Sequence, residues 1–297
     1  MNALASDLAV IVKENQRIKT SDGVTLAGDL FVGRDPRIAV MISAGTGFPR
    51  SFYRSFAEWL AGQGAIVLTY DYRGIADSRG GSLAGSEIEY WDWGRLDQTA
   101  VLDHLAEVAP GLPLTHVAHS VGGHFLGLMP NQDRIVRHAF VAIGSGYWGA
   151  HPPKRWPLEW YFWWGMGGYS LARWGYIRSA GGWTGEPLPP RVFRTWRRWA
   201  HRKDYFLGDL DGDLRPHHYE EVTSSIRSWL FTDDGIATPK AAEFIRKLYA
   251  NADYSEVLRS PKEIGVKRID HEAAFRTGRE ALWQEWWQWL SQAQEPA

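Results

Sequence analysis

The run Leu114-Thr115-His116-Val117-Ala118-His119-Ser120-Val121-Gly122-Gly123 decides how this chain is read. A short apolar stretch leads into Ser120, and small residues lead away from it. The pattern small-x-Ser-x-Gly is that of a nucleophile elbow, a sharp strand-to-helix bend with a strained serine at its apex. Such a bend has room only for small residues two before and two after the serine, and Ala118 and Gly122 supply them. The expected result is a hydroxyl exposed at the C-terminal edge of a sheet, with a helix starting at Val121 and aiming its N-terminus at the reacting centre.

Working outward from Ser120, short apolar runs alternate with helical patterns. Val10 to Thr20 and Val24 to Val32 read as an antiparallel pair with the turn Ser21-Asp22-Gly23. Buried strands are predicted over Arg37–Ser43, Ala65–Tyr70, Pro113–His119 and Val136–Ile143, with helices over Ser51–Gly62 and Ser86–Val108. The rhythm stops at Gly144 and resumes at the strand Ser225–Phe231. It then runs through a helix over Pro239–Tyr249, a short strand near Tyr254–Leu258 and a final helix over Glu272–Ser291. Alternation of this kind predicts the α/β class, with a mostly parallel sheet covered by helices on both faces. The interruption predicts an inserted helical region. The expected division is a core from 1–144, an insertion over 145–222 and the rest of the core over 223–297.

Composition narrows the function. A net charge of −1 over 297 residues gives no field to attract nucleic acid. The absence of cysteine removes disulfides, thiol catalysis and cysteine-ligated metals, and suits a reducing, cytoplasmic setting. Met1 to Val12 lacks the basic start of a signal peptide and reads as the approach to a first strand.

A serine hydroxyl needs a base within hydrogen-bond reach, and the base needs a carboxylate to orient it. Of the ten histidines, His271 alone stands in a loop between the last strand and the last helix, which makes it the candidate base. His119, next to Ser120, is expected to point elsewhere. The acid belongs in the turn after Ser225–Phe231, where Asp233 and Asp234 adjoin; Asp234 is preferred, with the other capping the turn or the next helix. An oxyanion would rest on the amides of Val121 and of Thr46, the latter in the loop Ala44-Gly45-Thr46-Gly47.

With Gly45-Thr46-Gly47, Tyr70 to Gly74, the Ser120 bend and the Asp233-Asp234 turn in view, the chain resembles the α/β-hydrolase superfamily, and within it a bacterial group of uncharacterised members. The resemblance covers about residues 10–143 and 225–291. It implies Ser120 as nucleophile, His271 as base, Asp234 as its orienter, and the insertion as a lid over Ser120. Two positions depart from the usual pattern: Ala118 replaces a glycine, and Ala44 stands where many members carry histidine. The implied activity is hydrolysis of a small-molecule carboxylic ester or thioester with a hydrophobic portion, with no cofactor and no metal. Acyl transfer by the same residues, and ligand binding without turnover, are the alternatives.

Nine of the 17 tryptophans lie between Trp148 and Trp199. Trp148, Trp160, Trp163 and Trp164 are the expected apolar walls of a substrate site. The stretch Arg191–Lys203 reads as an amphipathic helix with Arg194, Arg198 and Arg202 on one face. Asp209, Asp211, Asp213 and Glu220 have the spacing of a calcium loop only faintly, since Leu214 replaces the required glycine; a solvated turn is expected instead.

Overall fold

The computed structural model describes residues 10–294, so the expectation for Met1 to Val12 lies almost wholly outside the described residues. Eight strands form one sheet: β1 (Ile11–Lys19), β2 (Thr25–Val32), β3 (Ile38–Ser43), β4 (Ala65–Tyr70), β5 (Leu114–His119), β6 (Ile135–Val141), β7 (Ser225–Phe231) and β8 (Asp253–Arg259). Their spatial order is β1-β2-β4-β3-β5-β6-β7-β8. Only β2 runs antiparallel to its neighbours β1 and β4. All six residues of β3, β4 and β5 are buried, as strands covered on both faces must be.

The chain crosses the sheet one way from β3 to β4 and the opposite way from β4 to β5. Right-handed crossovers then place their helices, α1 (Arg54–Gly62) and α2 (Thr99–Val108), on opposite faces. The order of the remaining helices is α3 (Trp156–Trp160), α4 (Gly167–Trp174), α5 (Pro190–Ala200), α6 (Pro239–Leu248), α7 (Pro261–Ile264) and α8 (Glu280–Ser291). α8 joins α1 on one face, where Phe56 packs against Trp283 and Trp286 with ring centroids 5.4 and 5.2 Å apart. The reversal of direction at β3 sets the C-terminal ends of β3 and β5 side by side, with Ser43 opposite Ala118. Loops leaving a sheet at such a switch point form its natural crevice.

Between β6 and β7 the chain makes a long helical excursion. α3, a π-helical turn (Tyr161–Met166) and α4 run on as one rod, and α5 packs against it. Trp163, Phe193 and Trp199 are buried here. Tyr219 ties the excursion to the body by donating to the His124 carbonyl at 2.9 Å.

Three expected helices differ. No α-helix follows Ser120; two short 3-10 turns, Ser120–Gly123 and Leu126–Leu128, take its place. The carbonyls a helix would pair internally are occupied from outside. Gly122 accepts from Gln98 Nε2 at 2.8 Å, Gly123 from the Tyr249 hydroxyl at 2.7 Å and Gly127 from the His218 amide at 2.6 Å. The helix predicted from Ser86 starts only at Trp93, as a π-helical turn (Trp93–Gln98) leading into α2. That wider turn directs Asp97 and Gln98 inward together. Asp97 pairs with buried Arg73 at 2.7 Å, and Gln98 meets Tyr72 at 2.9 Å. The last helix begins at Glu280 because Gly278, at φ +83°, breaks the chain after a short turn at Ala273–Phe275.

A side chain at Gly122 would collide with the Ser43 backbone, its Cβ falling 2.5 Å from the carbonyl oxygen. Gly122→Ala is therefore expected to destabilise the fold by about 1–3 kcal/mol, the range for overpacked cores, in urea unfolding monitored by circular dichroism.

Candidate active site

Ser120 follows the last residue of β5 at φ +50°, the left-handed region that a residue with a side chain rarely enters. Its Oγ lies 3.0 Å from His271 Nε2. His271 Nδ1 lies 2.8 Å from Asp234 Oδ2, and Asp234 is buried. Its other oxygen, Oδ1, accepts from the amides of Ile236 at 2.7 Å and Ala237 at 3.1 Å. Three loops from the C-terminal ends of β5, β7 and β8 thus bring hydroxyl, imidazole and carboxylate into one line. Asp233, the neighbour, does not face the imidazole. Its Oδ2 accepts from the Ile269 amide at 3.0 Å and so anchors the loop that carries His271. The cap of α6 comes instead from Thr238, whose side chain accepts from Ala241.

The electrostatics follow from this line. Burial alone would push the His271 imidazole down. The Asp234 carboxylate outweighs it by charge and hydrogen bond, with Glu272 and Asp270 adding to the field, and the pKa stands above the ordinary 6.5. Burial would likewise raise Asp234, but His271 and the two amides hold it below 3.8.

His119 and Tyr53 belong to the same construction, and sequence reasoning missed both. The Gly45 amide donates to the Tyr53 hydroxyl at 3.0 Å. That hydroxyl donates to His119 Nδ1 at 2.7 Å, and His119 Nε2–H donates to the His271 carbonyl at 2.7 Å. Each atom has one role consistent with the next. The loop after β3 is thereby tied to the loop bearing His271 through a neutral imidazole, whose pKa burial lowers to about 3. A polar ring at the buried end of an apolar strand was the available signal.

A cavity of about 430 Å³ opens over Ser120 and His271. Thr46 and Val121 both line it. Val121 is the second residue of its turn, so its amide has no acceptor within that turn. Thr46 is held by its side chain, whose Oγ1 sits 2.5 Å from the buried Tyr90 hydroxyl. Beside it Gly47, at φ +78°, lies under the Trp183 ring, which leaves no space for a Cβ. The Gly47 carbonyl accepts from the Glu186 amide at 2.8 Å, so the excursion is fastened to this loop.

The aromatic walls are Phe48, Phe52, Tyr90, Trp183, Trp196 and Tyr205. They are not the tryptophans expected from sequence. Trp163 is buried against Phe193 and Trp196, Trp148 packs on Trp156 and His201, and Trp160 and Trp164 face outward. Tryptophan spacing alone does not distinguish the inner face of the rod from its outer one. The acidic run is taken up by arginines: Asp209 binds Arg198 of α5 at 2.8 Å and Arg202 at 2.6 Å. Arg202 lies past the helix end at Ala200 and not on the helix expected to reach Lys203.

Histidine ¹⁵N spectra check this geometry. His119 is expected as the Nε2–H tautomer with no titration between about pH 5 and 8, while His271 titrates above 6.5.

The model of the family described as serine aminopeptidase, S33, matches residues 34–174. No curated protein sequence matches the chain at a significant level. Among solved structures, a soluble variant of monoglyceride lipase from Saccharomyces cerevisiae, in complex with a substrate analogue, is similar with a TM-score of 0.69 at 14% identity, over 97% of this chain and 98% of that one. An esterase of Pyrococcus furiosus gives 0.58 at 15% identity, over 98% and 96%. DcsB in complex with its substrate analogue gives 0.64 at 12% identity, over 96% and 100%. At these identities the likeness carries the fold. With its eight-stranded sheet, its strand order and its serine bend, this chain has the α/β-hydrolase fold.

Proposed function

We propose that the protein is a serine hydrolase that cleaves a carboxylic ester or thioester with a hydrophobic portion. The observation that carries this reading is the hydrogen-bonded line Ser120–His271–Asp234 opening onto an aromatic-walled cavity. Ser120 Oγ attacks the substrate carbonyl as His271 Nε2 takes its proton. Asp234 keeps the imidazole in the tautomer that leaves Nε2 free and stabilises the imidazolium that forms. The tetrahedral oxygen rests on the amides of Val121 and Thr46. His271 then protonates the departing alcohol or thiol, and a water activated by the same imidazole releases the acid from Ser120. Strength at the oxyanion comes from the two amides themselves, since no α-helix stands behind Val121. Residues 145–222 act as the lid, with Trp183 and Trp196 meeting the acyl portion. A cytoplasmic setting suits a chain without cysteine. A monoglyceride lipase and an esterase among the structures similar in fold support an ester rather than a peptide bond.

Steady-state kinetics on p-nitrophenyl esters of rising acyl length, with aminoacyl p-nitroanilides as contrast, test the reading. His271→Ala is expected to lower kcat by about 10⁴-fold or more. Asp234→Asn should cost about 10⁴-fold, and Asp233→Asn about tenfold or less, because Asp233 acts only on the loop. Turnover of the anilides but not the esters would overturn the assignment of the bond.

The pH profile has a fixed sign. His271 must be unprotonated to accept the serine proton, so kcat/KM falls with decreasing pH through a value above 6.5. Asp234→Asn removes the charge that lifts this value, and the acid limb of its residual activity moves to lower pH.

A further inference from the structure

The rod formed by α3, the π-helical turn and α4 is apolar on both sides. Its inner side buries Trp163, Met166 and Gly167 against the rest of the excursion. Its outer side carries Trp156, Trp160, Tyr161, Trp164 and Tyr169, all exposed, with Trp160 at 63% and Tyr169 at 62%. Trp156, Trp160 and Trp164 recur at four-residue steps and form one stripe; Tyr161 and Tyr169 line a shallow apolar groove beside it. A helix of a soluble domain ordinarily turns charge to water on this side. A cluster of large aromatic side chains there marks an interaction surface.

The chemistry of the patch selects the occupant. Its outward residues are mainly tryptophan and tyrosine, whose rings have an apolar body and a polar edge, the combination that settles at the headgroup level of a bilayer. Cations flank it. Residues 154–178 hold Lys154, Arg155, Arg173 and Arg178 against one carboxylate, Glu159, in a chain whose net charge is −1. That carboxylate is buried against His151 and Arg155 and offers nothing to the surface. Arg197 of α5 adds a further cation, its guanidinium 4.4 Å from the Trp164 ring. A second copy of the chain would bring these like charges together, whereas anionic headgroups complement them. No helix among the described residues is long and apolar enough to cross a membrane.

We propose that the outer face of residues 156–174 is a docking surface that lies in the headgroup layer of a bilayer containing anionic lipid. The aromatic rings enter the headgroup–acyl boundary, and Lys154, Arg173 and Arg178 meet the lipid phosphates. The inner side of the same rod packs on Trp196, a wall of the cavity over Ser120, at a centroid distance of 4.9 Å from Trp163. A bilayer on the outer side therefore sits one layer of aromatic side chains from the site. The proposal rests on the exposed face alone and holds whatever bond Ser120 attacks.

Co-sedimentation of the full-length protein with vesicles tests it, using phosphatidylcholine alone and phosphatidylcholine mixed with phosphatidylglycerol. The wild type is expected to pellet with the mixed vesicles, less with the neutral ones, and less as salt rises. Trp160→Ser/Tyr169→Ser should lower partitioning on the order of tenfold or more while the melting temperature is retained, since both side chains are outside the packed interior. No pelleting of the wild type with either vesicle would overturn the proposal. So would a wild-type dimer in light scattering that the double substitution converts to monomer, because the face would then belong to a second copy.

Discussion

Ser120 holds a φ of +50° at the tip of β5, and the surrounding structure is arranged to make that conformation bearable. Strain of this kind costs on the order of 1–3 kcal/mol and persists only where neighbours leave the chain no alternative. Here Ala118 lies beside Ser43 in the parallel ladder, and Gly122 presses on the Ser43 carbonyl from the other side of the bend. Carbonyls of the residues after the bend are claimed by Gln98, Tyr249, Tyr219 and the His218 amide, drawn from three separate parts of the chain. The serine hydroxyl is thereby fixed by contacts that are nowhere local to it.

The same economy governs the loops around it. Asp234 and Asp233, adjacent in sequence, do different jobs at once: one meets the His271 ring, the other holds the backbone that carries it. The buried run from the Gly45 amide through Tyr53 and His119 to the His271 carbonyl joins the loop after β3 to the loop after β8. A neutral imidazole suits that task. With its pKa near 3 it keeps one tautomer, and so one hydrogen-bond pattern, across the pH range in which His271 changes charge.

The strands were legible because parallel, doubly covered strands leave apolar runs such as Ile38–Ser43 and Ala65–Tyr70. Ser120 and Asp234 could be picked out because each stands just past such a run, and His271 because it stands in the loop between the last strand and the last helix. What stayed hidden was tertiary. Nothing local announces that Gln98 and Tyr249 will take the carbonyls after Ser120, so a helix was the natural expectation there. The Ser86–Val108 stretch has helical spacing, yet the pull of Arg73 on Asp97 and of Gly122 on Gln98 widens its start into a π-helical turn. The tryptophans were misassigned for a related reason. Composition identifies an aromatic layer, but only the packing of Phe193 and Trp196 decides which rings face the cavity and which face outward.

The central claim is that position 120 carries an activated serine. Intact-mass analysis after treatment with a fluorophosphonate tests it most directly, because the reagent bonds only to a hydroxyl already served by a base and an oxyanion site. The account predicts a single adduct on the wild type and none on Ser120→Ala. A well-folded wild type that stays unlabelled, or an adduct that persists in Ser120→Ala, would contradict it.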